Sequence, residues 1–257
     1  MLMSESGKSK KLILSKTFSV VFCLVVFGLM ITMADFFSSL ITVGGFSFVN
    51  DNITFAEYKV YAVCTSSHQE KLLASEFCET IKQQGGAGYI YINENLYYIV
   101  AGMYETESDA NKVLNNIIED KPEATIIEIK IPAITISNNL SAQEKNTLNG
   151  CLGVFKNAYK KLYDISVSLD TVIINEVNAR LMVNELCSTV QTAIGNFNTI
   201  FTENVSTSLL KIKLANSDVV KYLNELSEST SAYPFTSLVK ECYCKIITTY
   251  KQMASQI

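Results

Sequence analysis

The sequence predicts an α+β chain: a β-α-β-β-α-β module over 58–132, an all-α bundle over 141–257, and one membrane helix ahead of both. Three observations carry this. Residues 18–33 (FSVVFCLVVFGLMITM) run without a charge, 58–131 alternates strand and helix signals, and 141–257 shows helical apolar periodicity with no strand signal. The 257 residues are 48% apolar and 18% charged, with eleven Gly and three Pro, which excludes collagen-like, low-complexity and largely disordered chains. A formal net charge of −4 leaves no basic footprint for nucleic acid.

The charge is unevenly placed. Four lysines (Lys8, Lys10, Lys11, Lys16) stand against Glu5 in 1–17, and the rest of the chain carries 17 basic against 24 acidic residues. At ~1.5 Å per residue the uncharged run covers about 24 Å, short of a ~30 Å hydrocarbon core. Extension through Phe36, Phe37 and Leu40 supplies the missing length, giving a transmembrane helix over 18–40. Lysines before the span place 1–17 in the cytoplasm and the bulk outside the cell membrane. A cleaved signal peptide is the alternative, but Thr32-Met33-Ala34 is a poor small-x-small site. Residues 41–57 then read as a linker, still apolar at Phe46, Phe48 and Val49.

Within the module, 58–64 (YKVYAVC) is β-branched and aromatic, and Thr65-Ser66-Ser67 reads as a cap cluster for a helix with Leu72, Leu73, Phe77 and Ile81 on its apolar stripe. Gly85-Gly86 ends that helix. Two strands, 88–92 and 96–101, follow across Asn93-Glu94-Asn95, a hairpin-like turn. Thr106 caps a second helix with Ala110, Val113, Leu114 and Ile117 inward, and 124–131 (ATIIEIKI) is a last strand before Pro132.

The bundle follows from spacing. Leu148, Leu152, Phe155, Tyr159, Leu162 and Leu169 mark a helix over 141–169, and Val177, Leu181, Val190, Ile194, Phe197 and Phe201 mark one over 172–201. Residues 209–226 and 235–253 add two more, the last opened by Pro234. Cys64, Cys78, Cys151, Cys187, Cys242 and Cys244 follow Cys23 without a C-x-x-C pair, and read mostly as small buried hydrophobes.

Two helices can cover only one face of a four-stranded sheet. With Val60, Ala62, Ile99 and Ala101 turned to those helices, Lys59, Tyr61, Tyr98 and Val100 line the other face. Burying Ile90 and Ile92 sends Tyr89 and Tyr91 there as well. Tyrosine offers an apolar ring with a phenolic donor and acceptor, which suits the C–H faces and hydroxyls of a sugar.

The module resembles the SPOR (sporulation-related repeat) family, a pseudo-repeat in which an extended run leads to Gly-x-aromatic and then to a polar-capped helix. Residues 97–104 (YYIVAGMY), with Gly102 and Tyr104 in the signature places, are a close instance, and 84–90 (QGGAGYI) looks like a variant of spore-forming Firmicutes. The first half departs, with Val63 where Gly is frequent, Thr65 where an aromatic is frequent and Tyr61 where Gln is common. The resemblance implies a four-stranded antiparallel sheet with two helices on one face. It also implies non-catalytic binding of peptide-stripped peptidoglycan glycan strands at a division or sporulation septum. Lys59, Tyr61, Tyr89, Tyr91 and Tyr98 are the expected sugar contacts. No catalytic residue, metal ligand or cofactor is expected, and the expected partners are glycan, the membrane and an envelope or septal protein at the bundle.

Other readings stay open. Tyrosines are good strand formers in their own right, and the same face can pack on the bundle or on a second copy. The chain is then a structural protein-interaction module of the envelope, or a wall hydrolase or its activator. His68, the one histidine, reads as a solvated residue in a helical first turn. Gly85-Gly86-Ala87-Gly88 follows a helix and precedes a strand, the reverse of a phosphate loop. The acids at 105/107 and 119/120 sit where solvation explains them.

Overall fold

Residues 52–137, 140–202 and 206–257 are described by a computed structural model of the chain. Strands β1 (Asn52–Phe55) and β2 (Tyr58–His68) lead to helix α1 (Lys71–Gln83), then β3 (Tyr89–Asn93), β4 (Leu96–Tyr104), α2 (Glu107–Ile117), β5 (Thr125–Ile131) and β6 (Ile134–Ser137). Four long helices complete it: α3 (Ala142–Asp170), α4 (Glu176–Ile200), α5 (Thr207–Ser227) and α6 (Phe235–Ala254). The chain is α+β, with an antiparallel sheet ordered β3-β4-β2-β5. A separate ribbon pairs β1 with β6, Asn52 opposite Ser137, in stretches the sequence left as linker and as chain beyond the last strand. The expected membrane helix over 18–40 and its cytoplasmic lead lie outside the described residues. Among the described residues, no helix is long and apolar enough to cross a membrane.

Local chemistry accounts for several boundaries. Glu94 and Asn95 have φ of 49° and 65°, the pair of left-handed residues that a two-residue type I′ hairpin needs. The Thr106 hydroxyl accepts the Asp109 N–H at the start of α2. Ser141 and Glu144 form a reciprocal capping box on α3.

Two expectations for the first helix are corrected. Residues 65–67 do not cap it, because β2 continues through His68; Glu70 is the N-cap and makes no side-chain cap bond. Nor do Leu72, Leu73 and Phe77 face inward. Ala74, Cys78 and Ile81 do, packing with Ile99, while Leu72 is 73% exposed. Small residues on the contact stripe let α1 lie close to the sheet, and that requirement outweighs the larger hydrophobes one position away.

The helix ends of α1 and α3 make an internal comparison. Both close with a Schellman motif, in which one residue turns left-handed and the next N–H reaches back to the last turn. After α1 the left-handed residue is Gly85 (φ 89°), and Gly86 N–H donates to the Ile81 carbonyl at 3.0 Å. After α3 it is Val172 (φ 57°), and Ile173 N–H donates to the Ser168 carbonyl at 2.9 Å. A β-branched residue there costs about 1–2 kcal/mol relative to glycine. Helix α4 accordingly starts at Glu176 rather than at 172. Val177 and Leu181, expected inside, are 68% and 61% exposed, because the buried stripe runs through Ala179, Val183, Leu186, Val190, Ile194 and Phe197.

The larger core spans what the sequence set apart. Val60, Ala62, Cys64, Tyr91, Val100, Ile129 and Ile131 of the sheet join Leu148, Phe155, Phe197, Val219 and Tyr243 of the bundle in one apolar cluster. Sheet and bundle belong to one compact unit.

Candidate functional site: the tyrosine face of the sheet

The face opposite α1 and α2 is not open. Helix α6 lies on it, and the sequence of α6 explains why. Phe235, Val239, Tyr243, Ile246, Ile247, Tyr250 and Met253 are all buried, with Cys242, Cys244 and Ala254 between them. A surface helix needs one apolar stripe, and a helix that is apolar on more than one side is buried from more than one side. Here one side packs in the bundle and the other on the sheet.

The expected sugar contacts divide between the two faces. Tyr89, Tyr91 and Tyr98 share the face under α6, as strand parity suggests. Tyr91 is 5% exposed, and its hydroxyl accepts from Lys251 Nζ at 2.6 Å. Tyr89 is half-buried against the shared core; burial pushes its phenol up to about 12, opposed by a hydrogen bond with Thr248. Tyr98 sits opposite Tyr91 in the register and packs on the same core. Lys59 and Tyr61 are elsewhere. They alternate with Val60 and Ala62, which enter the core on the α6 side, so they point to the side carrying α1 and α2.

This corrects the assignment of all five residues to one open platform. The physical reason is register. The pairing of β2 with β4 is irregular at Val63/Cys64 and Cys64/Ser66. A slip of one residue exchanges the faces of everything beyond it, so the parity of one strand does not fix that of its neighbour. Lys59 instead forms an ion pair with Glu128 across β2 and β5, Nζ to Oε1 3.1 Å. The hydrogen bond to Glu128 holds the Lys59 ammonium above its ordinary range.

Polar contacts fasten α6 to the module. Tyr243, 1% exposed, accepts the Met103 N–H at 3.4 Å. Ser237 Oγ donates to the Lys82 carbonyl at 2.7 Å, and Lys240 Nζ donates to the Gly85 carbonyl at 2.9 Å while pairing with Asp170 at 2.6 Å. Lys82 and Glu241, both largely shielded, pair at 2.9 Å. Tyr58 and Tyr250 stack with centroids 5.8 Å apart, and burial raises both phenols, Tyr250 to about 12.

The chemistry elsewhere is quiet. The six described cysteines are free and buried. Burial pushes the Cys64 and Cys151 thiols up to about 12 and that of Cys78 to about 11, so these are protonated apolar packers rather than nucleophiles. Among the described residues, no group of three or more His, Cys, Asp or Glu could hold a metal ion. His68, at the end of β2 rather than in a helix, stacks on Phe77 with centroids 4.7 Å apart. Sequence reasoning missed the residues that decide this site, Tyr243, Tyr250 and Lys251. The available signal was the apolar character of 235–254 on more than one helical side. No protein-family model, curated protein or solved structure matches the chain.

Proposed function

We propose that this chain is a non-catalytic, membrane-tethered interaction module of the cell envelope, in which the SPOR-like sheet is the seat of a helical bundle and not a platform for glycan. One observation carries the reading: α6 covers the tyrosine face, with Tyr91 and Val100 buried in a core continuous with the bundle. The magnitudes argue against a lid that opens on demand. Lifting α6 exposes Tyr58, Val60, Tyr91 and Val100 on the sheet and Tyr243 and Tyr250 on the helix. At ~1.5–3 kcal/mol per large apolar side chain this comes to roughly 10 kcal/mol or more. That is comparable to the whole stability of a typical domain, about 5–15 kcal/mol. The tether is proposed from the lysine-flanked apolar run, and the envelope setting from the family resemblance.

The test is sedimentation of the full chain, in detergent, with amidase-treated cell wall. The expected result is no retention above that of a membrane protein of similar charge, and no change with Tyr61→Ala or Tyr98→Ala. Strong retention that either substitution abolishes would return the sheet to the role of glycan reader.

A further inference from the structure

We propose that the outer side of α1, with the adjoining end of the sheet, is a docking surface for a cationic amphipathic helix of a partner protein. Helix α1 is built with its large apolar residues outward. Ala74, Cys78 and Ile81 meet the sheet, whereas Leu72, Leu73 and Phe77 are 73%, 42% and 45% exposed. Leu73 and Phe77 are i,i+4 neighbours and form one ridge, with Leu72 beside it. The surface continues onto the strands. The His68 ring stacks on Phe77, centroids 4.7 Å apart, and its Nε2 lies 3.1 Å from Ser66 Oγ. His68 stands opposite Tyr97, and Tyr97 opposite Ile92, which is 61% exposed. Ile90 and Tyr97 pack on the core under α1, so Ile92, two residues on from Ile90, opens to that same side.

Charge selects the occupant. Glu70 stands at the N-cap of α1, Glu76 lies one turn on from Leu72, Glu79 follows it, and Glu94 is in the hairpin turn after Ile92. All four are exposed, and none makes an ion pair among the described residues. Of the two lysines on α1, Lys82 is taken by Glu241 at 2.9 Å, which leaves Lys71. Four carboxylates against one ammonium give the surface a negative field. That field repels anionic lipid headgroups, and it repels a second copy of the same face, so neither a membrane nor a two-fold pair fits it. It attracts a segment carrying Lys or Arg, and the ridge fits apolar side chains presented at helical spacing.

The anchors are ready before a partner arrives. Helix and strands fix their spacing, and the His68 stack restrains the Phe77 ring, so little side-chain freedom is lost on docking. A ridge of this size belongs with small, reversible contacts rather than with permanent assemblies. The inference deepens the interaction-module reading and rests on it for there being a partner. Cell-wall sedimentation and peptide binding are separate readouts, so either can fail without the other.

The experiment uses the full chain in nanodiscs of zwitterionic lipid, with empty discs as the blank. The probe is a labelled synthetic helix of about 14 residues, four turns, with Leu at i, i+3, i+4 and i+7 and Lys elsewhere. By fluorescence anisotropy it is expected to bind about tenfold more tightly than a copy with Glu for Lys or a copy with Ser for Leu. Leu73→Ser with Phe77→Ser is expected to weaken binding about tenfold. Glu76→Lys with Glu79→Lys is expected to turn the preference toward the Glu copy. Both pairs are exposed, so the melting temperature should hold within a few degrees. No binding above the blank, equal binding of the Ser copy, indifference to the Leu73 and Phe77 substitutions, or an unchanged preference after the charge reversal would overturn the proposal.

Discussion

Tyr243→Ala is expected to cost about 3–5 kcal/mol, the range for deleting a buried aromatic ring. The ring is 1% exposed and meets Tyr159 and Tyr163 edge-on at centroid distances of 6.5 and 6.2 Å. Its hydroxyl is also the acceptor for Met103 N–H on β4, so truncation leaves a buried donor unsatisfied. For a chain of this size the melting point falls by on the order of 10 °C. Tyr243→Phe keeps the ring and loses the hydroxyl alone, at about 1–2 kcal/mol. The informative readout is cooperativity. Strand and helix signals by circular dichroism should move together, because Tyr243 sits in the one core that sheet and bundle share; a sheet that melts at its wild-type temperature would mean the two parts are independent.

Gly88→Ala is expected to cost about 2–4 kcal/mol, combining a left-handed backbone with overpacking. Gly88 has φ 51°, and a Cβ there would lie 2.4 Å from the Cys78 carbonyl oxygen and 2.6 Å from Lys82 Cγ. The carbonyl belongs to α1 and cannot move without lifting the helix from Ile99. Gly85→Ala is the control: φ is 89° but the nearest atom is Thr236 Cγ2 at 3.8 Å. Only the backbone term, about 1–2 kcal/mol, applies to it. Thermal unfolding of the two variants side by side checks the difference, and equal losses would remove the steric argument.

Much of the module was legible because its signals are local. The Asn93-Glu94-Asn95 turn, the Thr106 cap and the glycines after α1 each demand a particular backbone, and the β-α-β-β-α-β succession follows. Parity within β4 was also readable, and Tyr89, Tyr91 and Tyr98 do share a face; on β3 the burial was reversed, with Ile92, expected inside, 61% exposed and Tyr91 5% exposed. What was not local was not legible. The irregular pairing of β2 with β4 sends Val60 and Ala62 to the α6 side, and no property of residues 58–64 alone announces it. The phase of α1 was misjudged because Leu72, Leu73 and Phe77 outweigh Ala74 and Cys78 in hydrophobicity, while close packing on a sheet favours the smaller pair. The fate of the tyrosine face depended on a helix more than 130 residues later in the chain. Its sequence did carry a clue, since Cys242, Tyr243, Cys244, Ile246 and Ile247 crowd apolar side chains round the helix where a bundle stripe needs fewer.

The sealed face is tested most directly by site-resolved thiol labelling of the native full chain, with each cysteine quantified by mass spectrometry. Cys64 on β2 and Cys244 on α6 are both 0% exposed and lie in the core that joins sheet to helix. The account predicts that both label only at the rate of global unfolding, and that urea accelerates them in parallel with loss of tertiary signal. Rapid labelling of Cys64 and Cys244 in a chain that is otherwise folded, with Cys151 in the bundle still protected, would contradict it.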